Sequence, residues 1–265
     1  MSDAPHVDPS KGVFETMLVL DGRPVELEAH LDRLAASLAA LFDATLPGGS
    51  REDVLLHARG VEHGKLRVTA APGDDGQVAV AIVTAAVEPS KVFPSRGPGV
   101  SLRSFVVEGG LGAHKWADRR LLARAHAEAR PGELPFLVDG DGAALEAARG
   151  SIFQVRQGRL FTPPTDGRIL PSIARSRALE VARAEAIEVT EETLSLDDLR
   201  RGNLFLAGSV RGIEPVGSLD GVDLAPPGEI SARIAAGLRR RWLRVPQAEP
   251  VAVVVAGRRA GRRAR

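Results

Sequence analysis

"TPPTDGRILPSIARSRALEVARA", residues 162–184, changes character halfway along. Pro163, Pro164, Gly167 and Pro171 make its first half a rigid loop, and the second half reads as a helix over about 172–186. Ser172 stands where a cap belongs, leaving the N–H groups of Ile173 and Ala174 free in the first turn. Such a helix start attracts anions. Every capped helix offers one, so its meaning depends on what else the chain brings to it. "AGSVRGIEPV", 207–216, adds a small-residue turn whose Ser209 hydroxyl and backbone would complete an anion cup. Arg33 in "HLDRL" is a distant but suitable phosphate partner, and reads equally as part of a solvated helix face.

Working outward, "GLGAHKWADRR", 110–120, holds the last of four lysines in a chain with 35 Lys and Arg together. Arginine keeps its proton, whereas a desolvated lysine can lose it and attack a carbonyl. Lys115 follows a glycine-rich bend at the expected start of a helix over about 115–130. The alternative is an ordinary solvated lysine; a phosphate-binding P-loop lacks its Gly before and Ser or Thr after the lysine. Glu146 in "AALEAARGSIF" lies on an expected strand. Alternation puts it with Ala144 and Ala148 on one face, either exposed or lining a cavity where it needs a cationic partner.

The remainder is a mixed α/β pattern. "GVFETMLVL" and "DGRPVELEAH" read as a hairpin turned at Asp21-Gly22, followed by a helix through "HLDRLAASLAALFDA" and a second helix capped by Ser50. "KLRVTAA" and "QVAVAIVTAAV" form another hairpin around "PGDDG". After "PSRGPG" come the strand "VSLRSFVV", strands through "LPFLVD" and "AALEAARGSIFQVRQGRLFTP", "NLFLAGSVRGIEPV" as strand and loop, and a helix over 229–243. The expected division is a small N-terminal α/β domain (1–105), a larger domain (106–248) and a basic, solvated tail (249–265).

Composition excludes several classes. There is no cysteine, so no disulfide, thiol nucleophile or thiolate metal site, and no metal is expected. The formal net charge is +1, with 8 Phe, 2 Trp and no Tyr, which argues against nucleic acid or an anionic membrane as partner. No stretch approaches a membrane span and the start lacks a signal pattern, so a cytoplasmic protein is expected.

A nucleophilic lysine, a carboxylate for a ring nitrogen and a phosphate cup are together the parts needed to use pyridoxal 5'-phosphate. "GVFETMLV", "HLDRLAAS", "HK", "LEAARGSIF", "TPPTDGRILPSIAR" and "GSVRGIEPV" resemble, in order and spacing over about 12–216, the class IV pyridoxal-phosphate enzymes. These include branched-chain and D-amino acid aminotransferases and 4-amino-4-deoxychorismate lyase. The resemblance implies a two-domain fold type IV α/β (α+β) architecture, the larger domain barrel-like with helices, usually a homodimer with the cofactor between domains. It implies Lys115 as the lysine that holds the cofactor and acts as catalytic base, and Glu146 as partner of the ring nitrogen. Arg33, the Ile173 and Ala174 amides and Ser209 would form the phosphate site. Phe14 and Thr16 would face the substrate. Arg211 would meet a substrate carboxylate, or serve in a structural ion pair.

The departures select among members. Branched-chain aminotransferases carry a tyrosine five residues after the lysine, and here that position is Arg120. Lyases resemble this chain in having an arginine four residues after it, here Arg119, and in their short length. The expectation is an aminodeoxychorismate lyase acting on a small-molecule amine in folate biosynthesis, forming 4-aminobenzoate and pyruvate. The alternatives are an aminotransferase for branched-chain, aromatic or D-amino acids, and a non-catalytic relative. Trp116, Ala117 and Asp118 are unusual beside the lysine.

Overall fold

The computed structural model describes residues 7–73, 77–94 and 99–243. The expected tail at 249–265 and the centres of "PGDDG" and "PSRGPG" lie outside them.

The N-terminal part is a four-stranded antiparallel sheet, ordered β2 (Arg23–Pro24), β1 (Val13–Leu20), β3 (His63–Pro72), β4 (Val78–Ala86). Helices α1 (Leu27–Phe42) and α2 (Ser50–Ala58) cover one face. Val13, Met17 and Val19 of β1, Leu66, Val68 and Ala70 of β3, Leu31, Leu34 and Leu38 of α1 and Val54 of α2 make that core. The opposite face of β1 carries Phe14, Thr16, Leu18 and Leu20, with Leu18 and Leu20 packed into the core of the larger part. β1 is therefore buried on both sides, which explains its nearly unbroken apolar run.

Two expectations fail here. The second strand of the first hairpin is only Arg23–Pro24, because "LEAH" already belongs to α1, whose apolar face outweighs the strand pattern. Ser50 is not a cap: it is the first helical residue, and its hydroxyl donates to the Pro47 carbonyl at 2.6 Å.

The larger part contains β5 (Val100–Val106), α3 (Arg120–Glu128), β6 (Glu133–Val138), β7 (Ala144–Ala147), β8 (Gly150–Arg156), β9 (Arg159–Thr162), α4 (Ile173–Ala184), β10 (Val189–Glu191), α5 (Leu196–Leu199), β11 (Asn203–Gly208), β12 (Gly212–Leu219), β13 (Val222–Asp223) and α6 (Glu229–Leu243). Strands β8, β11, β12, β5, β6 and β7 pair in that order, and β7 pairs back to β8, so six strands close a barrel. Closure leaves no free edge among them. All six contribute to one core through residues such as Leu102, Phe136, Ala147, Ile152, Leu206 and Val216. The alternate residues Phe153, Val155 and Phe205 face α4 and α6, and the two phenyl rings stack at 5.0 Å.

"NLFLAGSVRGIEPV" is thus a hairpin of two barrel strands, β11 and β12, not a strand and a loop. The helix expected from 115 starts only at Arg120. Residues 114–119 are irregular chain instead, tied to β1 by an isolated bridge between Val13 and Trp116: the Phe14 N–H donates to the Lys115 carbonyl at 2.8 Å and the Ala117 N–H to the Gly12 carbonyl at 2.9 Å. Ser172 does cap α4, accepting from the Arg175 N–H. The loop before it is pinned by Arg168, which pairs with Asp139 at 3.0 Å and Asp166 at 2.6 Å. Gly110 has φ +69°, and a Cβ there would run into the Arg168 carbonyl, so the glycine bend lets two backbones touch.

Candidate active site

A cavity of about 360 Å³ opens between the free face of the small sheet and one end of the barrel. The small sheet contributes Phe14, Thr16, Lys65 and Arg67. The barrel end contributes Glu146 to Ser151 and the Gly208–Gly212 turn. The Lys115 segment closes one side, and Arg33, Leu170 and Ser172 line another.

The structure brings most of the residues singled out from the sequence to this wall: Phe14, Thr16, Arg33, Lys115, Glu146, Ser209 and Arg211. Ile173 lines an adjoining groove beyond Arg33 and Ser172, and the Ala174 side chain is buried in the helix packing. Only their first-turn amides are suited to an anion, since no helical carbonyl precedes them to accept. Ala144 does not share the cavity face with Glu146: a bulge between Phe136 and Val138 breaks the alternation, and Ala144 turns into the barrel core.

Burial pushes the Lys115 ammonium down; Arg33 and Arg119 push the same way, while Glu15 and Glu146 resist. Burial pushes the Glu146 carboxyl up, against Lys115, the Leu170 N–H at 3.4 Å and Arg119. Phe14 carries three cations around its ring: Arg67 at 4.1 Å, Lys115 at 4.9 Å and Arg119 at 5.5 Å from the centroid. Arg119 is held down at about 10, first by burial and then by Arg67. It donates to the Ala148 carbonyl at 3.1 Å, and neither it nor Arg67 forms an ion pair among the described residues. Arg211 differs: it lines the cavity and also pairs with Glu214 at 3.1 Å, and Glu214 is gripped by Arg149 at 2.7 Å.

Arg120, in the position of the missing tyrosine, is outside the cavity. It grips Asp118 at 2.6 Å, and Asp118 also accepts the Asp8 N–H at 2.9 Å. The Arg120 hydrogen bond is the main reason the Asp118 carboxyl stays well below its usual range. Trp116 donates from Nε1 to the Leu111 carbonyl at 3.2 Å and packs on the small-sheet core. The unusual "WAD" therefore clamps the chain on both sides of Lys115.

Sequence reasoning missed Glu15, His30, Arg67 and Lys65. Glu15 and His30 are each 1% exposed. The signal was present: a carboxylate amid the apolar run "VFETMLVL" has to be paired if that run is buried. Burial raises Glu15, but the His30 and Arg33 hydrogen bonds and the Arg33 charge outweigh it and hold the carboxyl at about 2 against 4.5 when free. Between those values the unfolded chain binds more protons than the folded one, so this stabilisation is complete above about pH 5 and disappears as pH falls toward 2. It amounts to about 3 kcal/mol. In urea unfolding, Glu15→Gln is expected to flatten the loss of stability between pH 5 and 3; a slope equal to wild type would refute the pairing.

The residues fit the cofactor implied by the resemblance. A lysine amine suits its aldehyde, Glu146 suits its ring nitrogen, and Arg33, the start of α4 and the Ser209 turn suit its phosphate. The buried hydroxyls of Thr16 and Ser151 have no hydrogen-bond partner among the described residues and supply further hydrogen-bonding capacity beside the cavity.

The chain matches the family described as amino-transferase class IV over residues 12–219. It is 30% identical to a "Putative branched-chain-amino-acid aminotransferase" of Methanocaldococcus jannaschii, over 87% of this chain and 88% of that protein. It is 31% identical to a bifunctional aminodeoxychorismate lyase / D-amino acid transaminase of Mycobacterium tuberculosis, over 84% and 87%. The structure superposes on a hypothetical aminotransferase from Mycobacterium tuberculosis in its PLP-bound form, with a TM-score of 0.77 and 24% identity over 92% of this chain and 95% of that one.

Proposed function

Because the chain belongs to the class IV aminotransferase family, we propose that it is a pyridoxal-phosphate enzyme, and specifically an aminodeoxychorismate lyase. The observation that supports this reading is the pair Arg67 and Arg119, two cations over Phe14 with no ion-paired carboxylate among the described residues. Bringing two guanidinium groups together in a half-buried cavity is unfavourable until an anion joins them. Aminodeoxychorismate has a carboxylate on the ring and another on the enolpyruvyl group, and so supplies one.

Arg33, the Ile173 and Ala174 amides and Ser209 hold the cofactor phosphate, Glu146 the ring nitrogen and Lys115 the aldehyde carbon. When bound, the cofactor supplies an electron sink for the substrate carbon that carries the amine. Lys115, whose ammonium burial makes easier to deprotonate, takes the proton from that carbon in its neutral form. The bond to the enolpyruvyl oxygen then breaks, and one proton goes onto the departing carbon to make pyruvate. Substrate atoms balance as 4-aminobenzoate plus pyruvate, and aromatisation makes the step downhill. Phe14 and the small sheet cover the reacting carbon from water.

The aminotransferase reading is favoured by the likeness to the Methanocaldococcus jannaschii protein. It shares every step to proton removal. Purified protein supplied with aminodeoxychorismate is expected to release pyruvate without any keto acid. Strict dependence on a keto-acid acceptor, with turnover of branched-chain, aromatic or D-amino acids, would overturn the lyase in favour of the aminotransferase.

The enzyme acts as a cytoplasmic homodimer. One feature supports the pairing: β4, "VAVAIVTAA", is an uncharged strand at the sheet edge with Val83 63% exposed.

A further inference from the structure

On the side of β1 turned away from the cavity, Glu15 and His30, to which the chemistry above gives no role in binding, form a charged cluster with Arg33. His30 Nδ1 is 2.6 Å from Glu15 Oε2. Arg33, one turn further along α1, donates from Nε to Glu15 Oε1 at 2.7 Å and from Nη2 to Oε2 at 2.8 Å. Its Nη1 donates to the Pro171 carbonyl at 2.8 Å, immediately before the cap of α4. Around the cluster are Val13, Met17, Leu31 and Leu34, so apolar side chains would fill this space without the desolvation penalty of buried charge. The geometry does something an apolar core could not. A guanidinium has five N–H donors in a planar fork, and three are taken by Glu15 and Pro171. Two remain on a group that lines the cavity and whose orientation is fixed in both directions.

We propose that Glu15, steadied by His30, is a positioning residue for the anion-binding end of the cavity. It locks the Arg33 guanidinium beside the start of α4, so that a phosphate monoester meets a preset donor fork. The rotamer freedom of a long side chain is then lost on folding and not again on binding. This inference rests on the cofactor reading given above, and the test separates the two.

Full-length cofactor-free protein is titrated with pyridoxal phosphate and with pyridoxal, following the absorbance of bound ligand, and with inorganic phosphate, following thermal protection. Glu15→Gln is expected to weaken pyridoxal phosphate and inorganic phosphate about tenfold, and pyridoxal less than about twofold. His30→Gln should move the same ligands in the same direction, and it carries the test if Glu15→Gln does not fold. In the Arg33→Gln background, adding Glu15→Gln should cost no further phosphate affinity, because Glu15 acts through Arg33. Equal losses for pyridoxal and pyridoxal phosphate would mean a purely structural cluster and overturn the proposal, as would unchanged phosphate affinity. Wild-type protein that binds inorganic phosphate, with loss in Glu15→Gln, but does not bind pyridoxal phosphate would sink the cofactor reading and support the clamp. Wild type that binds none of the three overturns both.

Discussion

Lys115→Ala is expected to abolish the visible absorbance that pyridoxal phosphate gives the protein and to cut turnover by more than about a thousandfold. The Lys115 amine lies 4.9 Å from the Phe14 ring centroid on the cavity wall, and burial favours its neutral form. Its backbone is held separately, through the Lys115 carbonyl and the Phe14 N–H, so removing the side chain leaves the strand contact in place. Lys115→Arg should fail nearly as badly, since it keeps the charge but not the nucleophile. Lys65 also lines the cavity and is the informative control. Absorbance that survives in Lys115→Ala and vanishes in Lys65→Ala would overturn this assignment and give the cofactor to Lys65 on β3.

Glu146→Gln is expected to lower turnover about a hundredfold, the size of effect seen when one preorganised electrostatic partner is removed. A carboxylate beside the ring nitrogen favours its protonated form, and an amide of the same shape does not. A second effect has a definite sign. Glu146 raises the Lys115 pKa, so neutralising it should move the ascending limb of the pH–rate profile to lower pH. Glu146→Asp should retain more of both properties. A limb that stays in place or moves to higher pH would show that Glu146 does not hold the Lys115 ammonium up.

Local chemistry made part of this legible beforehand. Ser172 reads as a cap because its hydroxyl satisfies a nearby N–H, an interaction spanning three residues. The β3–β4 hairpin and α6 follow from patterning that neighbouring residues impose on each other. Arg33, Lys115, Glu146 and Ser209 were named from motifs, and all four line one cavity. The failures share a cause. The Glu15–Arg33 pair spans 18 residues and the Arg33–Pro171 contact spans 138, so neither partner's local sequence announces the other. The helix expected at Lys115 starts only at Arg120, because backbone bonds to Gly12 and Phe14 tie the preceding segment to β1.

By itself the sequence determined the residue types and their order: a lysine with no cysteine beside it, a capped helix start and alternating strands, all set by interactions within a few residues. Only the tertiary structure decided which face each strand presents and which charges meet. Barrel closure turns Glu146 toward the cavity while sending Ala144 into the core. Packing of the small sheet brings Arg67 over Phe14 beside Arg119. Cations so far apart in the chain acquire meaning only when the fold gathers them around one ring on the cavity wall.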